Sequence, residues 1–145
     1  MMYHTIKHGI FADEFARVLR LAMNKNDHIL VAVPGNIDTL TAPIAKLLGA
    51  AVAKRLLEER EVKVATPGAP EKTLYLASIN GCTSFKKGSV VLPWTPLDTV
   101  SKATATHSSS DTFFIANDGP GTSYREPGKD ELTRYQKSYP RSKAV

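Results

Sequence analysis

The apolar and polar positions of this chain change their spacing as the sequence proceeds. From 28 to 33 the residues His28, Ile29, Leu30, Val31, Ala32 and Val33 form a short, nearly unbroken apolar run between polar neighbours, which predicts a strand covered on both faces. Pro34, Gly35 and Asn36 stop it. From Ile44 onward the apolar residues Ile44, Leu47, Leu48, Ala51, Val52 and Leu56 recur at three and four, which predicts one continuous helix with Lys46, Lys54 and Arg55 largely off its stripe. Thr41 is the expected cap and Asp38 the competing one, with Pro43 in the tolerant first turn. Gly49, Ala50 and Ala51 thin the middle of this helix, as close approach to a sheet or another helix requires.

Upstream, residues 3–7 predict a short strand. Phe11, Phe15, Val18, Leu19 and Ala22 then mark one helical stripe, with Glu14, Arg17 and Arg20 mostly away from it. The opening order of strand, helix, strand, helix predicts parallel pairing through right-handed crossovers. After Arg60 the spacing shortens. Residues 62–66 and 73–79 read as a hairpin-like pair around Pro67, Gly68 and Pro70, residues 89–92 as a strand stopped by Pro93, and residues 112–116 as the last strand. Leu97, Val100 and Ala103 are weakly helical, so the stretch from there through Ser110 is expected to be a mobile loop. These elements predict an α/β (or α+β) body with a mixed sheet in three layers, spanning residues 1–116, followed by an extended basic and aromatic arm over 117–145.

Composition narrows the field only slightly. With 145 residues, 42% hydrophobic and 23% charged, the chain is long and apolar enough to fold around its own core. A formal charge of +5 tilts the expectation towards an anionic partner. The single cysteine, Cys82, excludes an internal disulfide and a thiolate cage, and suggests a reducing, cytoplasmic setting. No stretch approaches the ~20 apolar residues of a membrane span, so no membrane contact is expected.

The turn of Pro34, Gly35, Asn36 and Asp38 stands where an open α/β sheet takes its ligands, after a strand and before a helix whose free backbone donors suit a phosphate. It lacks both G-x-G-x-x-G and the triphosphate-binding G-x-x-x-x-G-K-[ST] run, so an ordinary strand-to-helix turn is the competing reading. The string AVPGNID with the following helix and Gly49, Ala50 resembles one segment of the Rossmann-like DNA-processing protein A family, without that family's upstream glycine-rich segment. His107, Ser108, Ser109, Ser110 and Asp111 are hydrolase residue types, but adjacent residues rarely supply both a base and an oxyanion site, and no G-x-S-x-G elbow occurs. His4, His8, His28 and His107 lack metal-ligand spacing. Cys82 has no basic neighbour to activate it. No catalytic residue, metal or cofactor is therefore assigned.

The terminal arm is the most distinctive stretch. Tyr124 and Arg125 open it, and past Glu131 it carries Arg134, Tyr135, Lys137, Tyr139, Arg141 and Lys143 with no further acid. Cations of this kind neutralise phosphates, and tyrosines stack on bases or fill protein pockets. The expected function is that of a non-catalytic structural or assembly component in a homo- or hetero-oligomer, a virus or phage particle being one setting. Its arm would contact neighbouring subunits. The alternatives are a nucleotide or phosphorylated-metabolite binding domain using the Gly35 turn, and nucleic-acid binding through the arm.

Overall fold

In a computed structural model, the structure describes residues 1–5, 11–34, 40–65, 68, 70–79, 85, 87–95, 97–107, 109–116 and 129–145. In chain order the strands are β1 (Met2–Thr5), β2 (His28–Val33), β3 (Glu61–Val64), β4 (Lys72–Ser78), β5 (Ser89–Thr95), β6 (Asp111–Ala116) and β7 (Lys143–Ala144). The helices are α1 (Phe11–Lys25), α2 (Thr41–Leu48), α3 (Ala50–Glu59), α4 (Leu97–Thr106) and α5 (Lys129–Ser138). The strands form one mixed sheet of order β3-β4-β2-β5-β6-β1-β7. Only β3 runs antiparallel, pairing with β4 as the expected hairpin. The fold is thus α/β, with helices on both faces of a largely parallel sheet.

Alternation along β2 explains the layers. Ile29, Val31 and Val33 point to one face and pack with Phe15, Val18, Leu19 and Ala22 of α1, Ile44 of α2, and Ala53 and Leu56 of α3. Leu30 and Ala32 point to the other and pack with Val90, Leu92, Phe114, and Val100 and Ala103 of α4. A strand sandwiched in this way must be apolar at every position, which is why residues 29–33 are all buried. In α1, Asp13 and Glu14 in the first turn and Lys25 in the last complement the helix dipole.

Several expectations change. The single helix expected from Ile44 through Leu56 is two, because Gly49 adopts φ 91° and ψ 157°, which an L side chain rarely tolerates. A β-carbon placed on Gly49 would meet nothing within 4 Å, so this glycine serves the break and not close packing. Thr41 is not the cap but the first helical residue; Leu40 precedes it, with no side-chain capping bond. Asp38 lies outside the described residues. β5 runs through Pro93 to Thr95, helped by a register shift against β6 between Leu92 and Thr95 and by Trp94 at φ 43°. The stretch expected as a mobile loop contains α4, whose Val100 and Ala103 are buried; packing, not threonine-rich propensity, decides its state. Glu14, expected off the core stripe, is 9% exposed.

Among the described residues, no helix is long and apolar enough to cross a membrane.

The terminal segment docks on its own body. β7 pairs in parallel with β1, Tyr3 opposite Lys143 and His4 opposite Ala144. Val145 N–H donates to the His4 carbonyl at 2.9 Å, and Tyr139 packs on Phe114 with ring centroids 5.6 Å apart.

Candidate functional site

Chain connections select one point on the sheet. The connection leaving β2 travels towards β4 on the face of α2 and α3, whereas that leaving β5 travels towards β6 on the face of α4. Neighbouring parallel strands whose connections part in this way leave a crevice at their carboxyl ends, the position where open α/β sheets receive ligands.

Strand geometry widens this crevice. The β2–β5 ladder runs only from Ile29 opposite Ser89 to Val31 opposite Val91, although β2 continues to Val33 and β5 to Thr95. Past Val31, β2 stays paired with β4 on its other side, Ala32 opposite Ala77 and Val33 opposite Ser78. Pro93 has no N–H to donate, and Trp94, buried and left-handed, turns β5 away; left-handed backbone at a bulky residue costs ~1–3 kcal/mol and clusters at functional sites. Trp94 is held from one side by Phe15, with centroids 5.9 Å apart. Thr95, fully buried, donates Oγ1–H to the Pro93 carbonyl at 3.0 Å and closes the kink.

Pro34 lies at this mouth and is exposed. Gly35, Asn36 and Asp38 fall outside the described residues. α2 begins just beyond, and its first turn carries no acidic side chain, so its orphan N–H groups and dipole favour an anion. An ion pair between Lys46 of α2 and Asp13 of α1 joins the two helices above this face. The structure therefore brings the β5 kink at Trp94 into one cluster with Val33 at the end of β2, a pairing of residues about sixty apart that no local motif announces.

The other sequence candidates separate. His107 is buried at the end of α4, where desolvation lowers its pKa from the usual 6.5, and Ser110 accepts a bond from the Gly88 N–H at 3.2 Å. Ser108 and Cys82 lie outside the described residues. No group of three His, Cys, Asp or Glu among the described residues could hold a metal. Arg134, Lys137, Arg141 and Lys143 are exposed, and Tyr139 is half-buried with its hydroxyl 2.7 Å from Ser101 Oγ. Tyr124, Arg125 and the side chain of Tyr135 are outside the described residues.

Sequence spacing gave no sign of a second polar assembly. Thr5 Oγ1–H donates to Glu14 at 2.8 Å, Arg17 donates to the same carboxylate at 2.6 and 3.2 Å, and Arg17 Nη2–H also reaches the Val145 carbonyl at 2.9 Å. This chain of bonds ties β1, α1 and the last residue together, which gives Glu14 a structural reason to be buried.

No family model matches the chain. No curated protein matches it either. Among solved structures it is similar to a mutant large terminase ATPase domain of Thermus phage P74-26, at 7% identity and a TM-score of 0.42, covering 83% of this chain and 60% of that one. The chain thus spans less than two thirds of that domain, and a likeness at this level carries no argument about function.

Proposed function

We propose that the protein is a ligand-binding α/β domain that takes a nucleotide or a phosphorylated metabolite at the carboxyl edge of its sheet, between β2 and β5. The observation that carries this reading is the coincidence of diverging connections with a β2–β5 ladder that stops at Val31 and Val91. A crevice there, beside a helix start without an acid, suits a phosphate group. The reading is one of binding at this crevice; the Ser142 hydroxyl and His4 imidazole, 2.7 Å apart, lie at the β1–β7 edge and not here. The single cysteine fits a reducing, cytoplasmic setting.

The test is a thermal-shift screen of the full chain against nucleotides and sugar phosphates, with Gly35→Val as the companion variant. Expected is a rise in Tm with at least one such compound, absent in Gly35→Val while the circular dichroism spectrum is kept. A screen in which none of these compounds raises Tm overturns the reading, as does an equal rise in the variant.

The assembly role is a second reading. It draws support from the slight hold of the terminal segment, whose strand makes only two ladder pairs with β1, so that the same segment can dock on a neighbouring copy. Light scattering of the full chain and of a version ending at Asn117 tests it. A full chain that assembles beside a monomeric truncation supports it, and two monomers remove it.

A further inference from the structure

Docking of the terminal segment does more than close the sheet. It sets the cations of that segment beside those of α1. Lys25 Nζ stands 5.7 Å from the centre of the Tyr3 ring, and Lys143 is the ladder partner of the same Tyr3, so two lysines flank one half-buried tyrosine. Arg17, reaching the Val145 carbonyl, fixes the terminus against α1. Arg20 is exposed farther along α1, on the stripe of Asp13 that faces α2, and Arg141 is exposed in the turn that leads into β7.

Acidic groups balance this edge only in part: the Tyr3 hydroxyl and, more weakly, Asp111 favour the charged form of Lys25. Glu14 is buried and occupied by Thr5 and Arg17, while Asp111 accepts from Asn26 and lies 3.6 Å from the Met1 amino group. Among the described residues, Arg20, Lys25, Arg141 and Lys143 have no ion-pair partner within 4.0 Å. Collecting like charges costs stability unless an anion answers them.

We infer that the edge formed by α1 and the terminal segment binds the phosphate backbone of a nucleic acid, independently of the crevice between β2 and β5. Three features favour this partner. The exposed groups are long cations and hydroxyls, the set that contacts phosphates without reading bases. Arg17 and Lys25 bracket about 12 Å of helix, which spans roughly three to four phosphates at about 3.4 Å per strand. An anionic membrane would require a set of inserted apolar side chains, and Met1 is the one exposed large hydrophobic residue among those described; an acidic protein would be expected to meet a larger exposed anchor than Met1 and the half-buried Tyr3.

The test is fluorescence anisotropy of the full chain with a labelled 20-base-pair duplex and with one of its strands, between 50 and 200 mM salt. Four phosphate contacts give a log–log salt slope of about −3.6 on the duplex, hence a loss of affinity of roughly 100-fold across that range. Lys25→Gln with Lys143→Gln is expected to halve the slope and to weaken binding at 50 mM salt at least tenfold, whereas Lys54→Gln, on exposed α3, leaves both unchanged. All these side chains are exposed, so the variants are expected to keep the wild-type Tm. Binding to either the duplex or the strand with this pattern supports the inference. It is overturned by no binding at 50 mM salt, by an equal loss in Lys54→Gln, or by equal affinity for phosphatidylserine vesicles or polyglutamate. Because the readout is salt slope on a polymer, its failure leaves the nucleotide-induced Tm shift untouched.

Discussion

The two ends of the parallel sheet are built in opposite ways. At the amino edge, almost every strand start is tied to its neighbour. Asn26 donates to Ser89 Oγ at 2.8 Å and to Asp111 at 3.0 Å, Ser89 Oγ–H donates to the Ala22 carbonyl at 2.9 Å, and Thr73, Asp111 and Thr112 donate backbone N–H groups to Asp27, Gly88 and Met1. At the carboxyl edge, β2 and β5 separate after Val31 and Val91, and a proline and a left-handed tryptophan occupy the gap's wall. The same strands are therefore clamped at one end and opened at the other. A clamped amino edge holds strand spacing fixed, so the opening does not spread into the core, and stability and ligand access are assigned to different ends of the same elements.

Gly88 supplies the strongest test of that contrast. It stands at the amino edge with φ 155°, and a β-carbon there would overlap the His28 carbonyl oxygen and lie 3.0 Å from both the His28 carbonyl carbon and Phe85 Cζ. Backbone cannot yield as a side chain does. Gly88→Ala is expected to cost about 4 kcal/mol, read as a fall in the urea midpoint, and a loss below ~1 kcal/mol breaks the picture of a rigid amino edge.

Paired substitutions sharpen it. Asn26→Ala removes two donors and leaves Asp111 less satisfied, at an expected cost of about 1.5 kcal/mol. Thr95→Val, at the carboxyl edge, removes one local bond to the Pro93 carbonyl with little change of shape and is expected to cost less than about 1 kcal/mol. If Thr95→Val proves the more damaging of the two by denaturant titration, the carboxyl edge carries stability and the division of labour is wrong.

This contrast was only half visible in the residue order. The apolar run of β2 and the stripe of α1 announce themselves because burial on two faces or on one helical face leaves a periodic signature. The break at Gly49 leaves none, since Leu48, Ala51 and Val52 keep helical spacing across it while the conformation of one residue changes the axis. Pro93 reads as a strand end because the bulge that accommodates it depends on register with β6, a tertiary fact. The terminus reads as an arm because two residues held by a backbone ladder need no apolar side chains. For the candidate site, the Gly35 turn can be placed from local order, but its partner strand cannot. Likewise, nothing near Arg17 in sequence foretells its bond to Val145.

Acid sensitivity distinguishes the regions most gently. His107, packed against Phe85 with ring centroids 6.0 Å apart, lies near the amino edge, and His4 lies on the β1–β7 edge; burial lowers the pKa of both from 6.5. A base whose folded pKa is lowered stays neutral in the native state while the unfolded chain takes up its proton, so stability is full above about pH 6.5 and falls as the pH drops through that value towards the folded pKa. Asp27, whose pKa Lys72 lowers from 3.8, acts only at more acid pH, which leaves the range from 7.5 to 5.5 to the histidines. The urea midpoint is expected to fall between those two values at constant m. His107→Gln and His4→Gln should each remove part of that fall, whatever each does to the midpoint at pH 7.5, because glutamine takes up no proton. A midpoint that rises on acidification reverses the assigned sign. A His107→Gln protein that keeps the whole pH dependence moves acid sensitivity away from the amino edge to the β1–β7 edge, where protonation of His4 would loosen the terminal strand.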